Sequence, residues 1–290
     1  MHRLLDPRND FVFKRIFGSD ENKDVLLAFL NNTLIDSNES PLTEIIQLNP
    51  YLDKDALHDK QSILDIHAKT IDGKLINIEI QLFNRYDIDK RTLFYWSKLY
   101  SGQLTEGQSY KELKKSITIN ILNFNYIVNE RYHNIFHLRE DHTNIILTRD
   151  IEIHFLELAK LNEQNIYING GLVNWLLFLK GTEKENWEVL AMNEPALQKA
   201  MDTLEFLSQN EEARRLYEMR QKALHDEASL IEGAKAEGME KGIEKGIEIG
   251  QQHAKIALAK KLIAKEMDIS FIIEVTGLSE EDIENLSLIQ

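Results

Sequence analysis

Apolar and polar residues alternate on both sides of Asp72-Gly73 in the stretch ILDIHAKTIDGKLINIEIQ, residues 63–81. Period two predicts two half-buried strands joined by a tight turn. Leu64, Ile66 and Ala68 fall on one face with Ile76, Ile78 and Ile80. Asp65, His67 and Lys69 fall on the other with Asn77, Glu79 and Gln81. Register decides whether the polar sets coincide. A two-residue turn at Asp72-Gly73 pairs Asp65 with Ile80, whereas a three-residue loop over 71–73 with a left-handed Gly73 pairs Asp65 with Glu79. Only the second keeps both apolar sets on one face, so it is the expected one.

Upstream, Asp6 is positioned to cap a first helix, with Pro7 in its first turn and Gly18 at its end. A second helix is expected over 22–34, a loop through Pro41 and a strand near 43–52. Beyond the hairpin, Leu93, Phe94, Trp96, Leu99, Tyr100 and Leu104 recur near helical spacing, predicting a helix over 88–104. Residues 116–124 alternate as a strand. Two further strand-like runs, 133–138 and 151–158, extend that sheet or cover an edge. From residue 172 the pattern turns helical, with one long charged helix over 198–235. The fold class expected is α/β in the α+β sense, a mixed sheet flanked by helices and followed by an all-helical C-terminal region. The chain divides on this reading into 1–160, a helical region 161–235, and 236–290.

The last part holds the internal repeat EGMEKGIEKGIEIG, residues 237–250. Gly238, Gly242, Gly246 and Gly250 recur every fourth residue, and each costs a helix about 1 kcal/mol relative to alanine. The segment is therefore a flexible linker or a helix held by close packing. Constant spacing favours packing, hence a self-association helix and a homodimer. Next, ISFIIEVTGLSEEDIENL reads as two short helices joined at Thr276-Gly277, the second capped by Ser279 with Asp282 reaching back. No Lys or Arg follows Lys265. That sign suits assembly, not DNA reading.

Composition narrows the classes. With 43% hydrophobic residues the chain can bury a core, and with no cysteine any metal must be held by carboxylates, imidazoles or carbonyls. No apolar run approaches a membrane span and the N-terminus turns polar at once, so a cytoplasmic protein without a membrane partner is expected. The net charge is −14. It is unevenly spread: residues 1–125 hold 16 Lys and Arg against 18 Asp and Glu, residues 126–290 hold 18 against 30. The hairpin's half is nearly neutral, so the overall charge does not exclude nucleic acid there.

Paired strand residues have β-carbons about 4.5–5.5 Å apart, so ionised Asp65 and Glu79 repel unless a cation lies between them. Oxygen ligands with open water positions suit Mg²⁺, with Mn²⁺ as a substitute. The bland alternative is an edge hairpin with a solvated polar face.

Three segments, NDFVFKRIFGSDENKDVLLAFLN, ILDIHAKTIDGKLINIEIQ and RTLFYWSKLYSGQLTEGQSYKEL, resemble the Rpn-like recombination-promoting nucleases and putative transposases of the PD-(D/E)XK superfamily. The resemblance covers most of the first 125 residues. It implies a PD-(D/E)XK restriction-endonuclease-like core and Mg²⁺-dependent cleavage of DNA. Asp65 matches the first acid of the motif and Glu79 the second, both as metal ligands; Gln81 stands where lysine is usual, and Asp10 resembles an additional acid from the first helix. Glutamine orients water but carries neither charge nor titratable proton. Lys14, one turn beyond Asp10, either returns the missing charge or pairs with Asp10. Arg91, Tyr95 and Lys98 share one side of the helix after the hairpin; the resemblance assigns Arg91 and Tyr95 to DNA phosphates and leaves Lys98 to a solvated face. His67 reads as a neighbour of the site. The competing class is a catalytically weak DNA-transaction or assembly protein that keeps the nuclease fold and acts through its C-terminal helices.

Overall fold

A computed structural model describes residues 3–37, 40–48, 51–52, 62–63, 65–84, 86–161, 171–181, 186–192 and 194–288. Helix α1 (Asp10–Phe17) buries Val12, Phe13, Ile16 and Phe17, and Asn9 caps it by accepting from the Phe11 N–H. Asp6 does not cap. Its carboxylate takes the Arg8 backbone N–H and guanidinium, at 2.8–2.9 Å, and its carbonyl closes a turn on Asn9. The helix therefore starts later than Pro7 would allow. Gly18 ends it as expected, its N–H donating to the Lys14 carbonyl. Helix α2 (Lys23–Thr33) occupies the expected span between Asn22 and Leu34.

The expected strand at 43–52 is divided. Strand β1 (Ile45–Gln47) joins the main sheet, whereas β2 (Tyr51–Leu52) pairs with β3 (Ser62–Ile63) in a separate two-stranded ribbon. The main sheet adds β4 (Ile66–Thr70), β5 (Leu75–Gln81), β6 (Ser116–Leu122), β7 (His133–Phe136) and β8 (Ile151–Glu157), in the order β1-β4-β5-β6-β8-β7. Pairs β5/β6 and β6/β8 are parallel and the other three antiparallel. Both late strand-like runs thus extend the sheet. Helix α3 (Ile88–Ser101) makes the crossover from β5 to β6, and ends before Leu104 because the Gly102 N–H turns back to the Lys98 carbonyl.

One face of the sheet is apolar. Ile66, Ala68, Ile76, Ile78, Ile117, Ile119 and Ile121 pack there with Phe13, Phe17, Phe29 and Trp175, whose rings stack in a chain of tilted contacts. Helices α4 (Leu172–Lys180), α5 (Trp187–Leu190) and α6 (Pro195–Gln209) belong to this layer; from the region 161–235, Trp175, Leu177, Leu197, Met201 and Leu204 enter the same core. The other face is mixed, and α3 covers part of it.

The helix expected over 198–235 is two helices. Asn210 takes an extended backbone (ψ 121°) that ends α6, and its side chain accepts from the Ala213 N–H to start α7 (Glu211–Ile263). Helix α7 continues through the glycine repeat, so that segment is helical. The chain forms two compact units, 1–224 and 225–290. In the second, the end of α7 packs with α8 (Ile269–Thr276) and α9 (Glu280–Leu288) around Ala259, Ile272, Leu278 and Ile283. Gly277 joins α8 to α9 with φ +64°, and Ser279 and Asp282 exchange side-chain and backbone hydrogen bonds as expected. Among the described residues no helix is long and apolar enough to cross a membrane.

Candidate metal and phosphate site

The hairpin between β4 and β5 takes the three-residue loop. Ile66 faces Ile78 and Lys69 faces Leu75, Thr70 donates its N–H to the Lys74 carbonyl, and Gly73 has φ +91°. Carried one step past Ile66, this register sets Asp65 opposite Glu79. The two acids also extend the ladder with their side chains: the Ile80 N–H donates to Asp65 Oδ2 at 2.9 Å, and the Asp65 N–H reaches Glu79 Oε1 at 3.4 Å.

This polar face is not solvated. Glu79 is 4% exposed, Gln81 7% and Asn77 fully buried, because α3 lies over the strip and joins it through Thr92, which donates to Asn120 Oδ1. Burial in low dielectric disfavours a charged carboxylate. It pushes Asp65 up, the nearby Asp10 charge adds to this, and Lys14 and the Ile80 N–H oppose it. Burial and then the charge of Asp65 push Glu79 up to about 8, against the pull of Arg91. Two buried acids facing each other, Glu79 raised by the charge of Asp65, form a pair that a cation would relieve.

The cations in place now are side chains. Lys14 Nζ lies 3.2 Å from Asp65 Oδ1, so it serves the hairpin and not Asp10. Arg91 Nη2 is 3.4 Å from Glu79 Oε2, and its guanidinium lies 5.6 Å from the centre of the Tyr95 ring. Asp10 is near enough for its charge to act on Asp65, but both its oxygens are held by Arg220 from α7 at 2.6–2.8 Å. His67 is buried opposite Asn77, on the face of Asp65, two residues from it. Beside the pair, a small cleft of about 60 Å³ is lined by Arg8, Asp10, Gln81 and Arg91 together with the apolar Ile80, Leu82, Phe83 and Leu224; Asp65 and Glu79 are not in its lining. It has space for a few waters but not for a nucleobase.

Two donors at this cleft are left over. Gln81 Nε2 and Arg91 Nε are buried and make no hydrogen bond among the described residues. Buried donors normally find partners, and these suit water or a phosphate oxygen. For the cation, among the described residues no three His, Cys, Asp or Glu side chains converge into a complete metal cage. Asp65 and Glu79 supply two carboxylates, the number with which Mg²⁺ is commonly held while water and substrate phosphate complete its shell. The donor set fits that ion and does not fit zinc, which needs three or four protein ligands, often sulfur or imidazole.

Sequence reasoning missed Arg8 and Arg220. Arg8 sits two residues from Asp10, a proximity that was available. Arg220 lies 210 positions from Asp10 on a helix rich in charged residues, and no periodicity singles it out.

Residues 7–234 are matched by a family model described as PD-(D/E)XK nuclease family transposase. No curated protein and no solved structure matches the chain.

Proposed function

The chain belongs to the PD-(D/E)XK nuclease family of transposases, and from that premise we propose that it is a Mg²⁺-dependent DNA endonuclease that hydrolyses phosphodiester bonds. The observation that carries the reading is the buried pairing of Asp65 with Glu79, beside the unpartnered donors of Gln81 and Arg91.

Asp65 and Glu79 would hold the ion, with Mn²⁺ as a substitute, and when bound it lowers the pKa of water and stabilises charge developing on phosphate. The remaining roles belong to the chain. Gln81 orients the attacking water by hydrogen bonding, since it has no proton to exchange. Arg91 stabilises the non-bridging oxygens, with the Tyr95 ring 5.6 Å from its guanidinium as a cation–π partner. Lys14 supplies the charge that lysine at position 81 would have brought, from one helix away. Asp10 assists from the cleft wall. In-line attack by water oxygen on phosphorus would form one P–O bond and break the ester P–O bond opposite it, the water giving up a proton and the leaving oxygen gaining one through solvent, so that the products are one phosphate monoester terminus and one hydroxyl.

The word transposase in the family description supports a role in mobile-element biology, and the resemblance of the three segments extends the reading to DNA recombination or defence. The exposed glycine face of α7 supports a homodimer formed through the C-terminal helices, in the cytoplasm. A second reading, a catalytically weak nuclease-fold assembly protein, is favoured by Gln81 and by the acidic C-terminal unit. Supercoiled plasmid with Mg²⁺ separates the two. Wild type is expected to nick it and Asp65→Ala and Glu79→Ala to lose activity by at least about 100-fold, the scale of removing a charge-stabilising group. Equal, negligible nicking by all three would leave the assembly reading.

A further inference from the structure

Each of the three carboxylates at the site already carries a cation of its own: Glu79 has Arg91, Asp65 has Lys14 and Asp10 has Arg220. The first two cations stand on elements next to the hairpin. The third comes from α7, whose early turns run along the N-terminal segment: Arg214 donates to the Arg3 carbonyl, Asn9 donates to Gln221, and Leu224 lines the cleft. Asp10 is 19% exposed and Arg220 52%. Arg220 grips through Nε and Nη2, engaging both carboxylate oxygens, a fork that orients the acid as well as neutralising it. Asp10 is close enough for its charge to be felt at Asp65.

An acid held in this way is a poor ligand for a second cation. Its strongest acceptor directions are taken, and a divalent ion placed on it would also meet the guanidinium. We propose that Arg220 is a positioning residue that competes with the divalent cation for Asp10, holding the carboxylate at the cleft while the metal is absent and giving it up on binding. The consequence is that no carboxylate of the site is left without a counter-charge while the metal is absent, so that the cleft does not repel a phosphodiester. This rests on the reading of Asp65 and Glu79 as the cation-holding pair.

The test is titration of the full-length protein with Mn²⁺ alone, followed by calorimetry, for wild type, Arg220→Gln, Asp10→Asn and the double variant. Arg220→Gln is expected to bind Mn²⁺ more tightly, by up to about fivefold, the range of a half-exposed ion pair. Arg220→Lys, which keeps the charge and loses the fork, is expected to lie between. In the Asp10→Asn background the gain from Arg220→Gln should vanish, as a double-mutant cycle requires of a direct competition. Unchanged affinity in Arg220→Gln overturns the proposal. So does an equal gain with Asp10 removed, which would make Arg220 a general repulsive charge. Asp65→Ala serves as the separate control: if it binds Mn²⁺ like wild type, the reading of the pair fails, whereas its loss of binding with no effect of Arg220→Gln removes the competition alone.

Discussion

Gly73 decides the position of the carboxylates, because the three-residue loop needs a left-handed residue at its end and the loop sets the register. Its φ of +91° suits no L side chain, and a β-carbon there would come within 3.2 Å of the Lys114 side chain. Gly73→Ala is expected to cost about 1–2 kcal/mol, read as a lower urea midpoint with an unchanged slope. Nicking should fall further than stability does, since a slip by one residue turns Glu79 to the apolar face. This much was legible from residues 63–81, where alternation and a glycine-containing turn admit only one register with a common apolar face. The partners were not. Asp10 read as free to assist and Lys14 as its possible mate, yet Lys14 reaches Asp65 and Asp10 is held from α7. Side-chain pairing between distant helices leaves no mark on local spacing.

At the level of elements, β8 shows why alternation located strands better than it assigned their environment. The polar Glu152 and His154 share a sheet face with Ile117 and Ile119, which packs against the helices, and both are fully buried. Glu152 meets four donors: Ser37 Oγ at 2.7 Å and His154 Nε2 at 2.8 Å on one oxygen, Lys115 Nζ at 2.7 Å and His137 Nε2 at 2.9 Å on the other. Burial alone would raise this acid, but the His154, Lys115 and Ser37 contacts outweigh it and hold its pKa well below the usual range. His133 closes the cluster, 2.9 Å from His154 Nδ1, and burial and then the His154 charge push it down to about 4, while Asp36 and Glu152 pull upward and Arg131 downward. A histidine lowered from 6.5 is protonated more readily in the unfolded chain, so its contribution is present above pH 6.5 and lost as pH falls toward 4. Glu152, lowered too, loses its contribution as pH falls through the ordinary carboxylate range. Both act in the same direction. Stability is expected to drop by about 2 kcal/mol from His133 alone between pH 7 and pH 5, with His133→Asn flattening the profile in urea melts. Glu152→Gln should cost about 3–5 kcal/mol at pH 7, because Lys115 is left buried without its counter-charge.

For the whole molecule, the sheet and its order of elements were readable because each apolar run is short and punctuated. The break at Asn210 was not, since residues on both sides have helical composition and one extended backbone pair separates them. The glycine repeat left two outcomes open, and a continuous helix through 238–250 removes the linker. It also sharpens the question of why the glycines are there. A β-carbon at Gly238, Gly242, Gly246 or Gly250 would meet nothing within 4 Å, and Met239, Ile243 and Ile247 beside them are exposed. Four glycines weaken the helix by about 4 kcal/mol relative to alanine, with no compensating contact among the described residues. Close approach of a second helix supplies one, because the missing side chains leave a groove along one face. Replacing all four by alanine separates propensity from packing. Helicity should rise, and the sedimentation mass should fall from dimer to monomer if the groove is the contact. Truncation before Glu237 should give the same monomer. A monomeric wild type, or an alanine variant that keeps the dimer mass, would detach the glycines from self-association and leave their spacing to another cause.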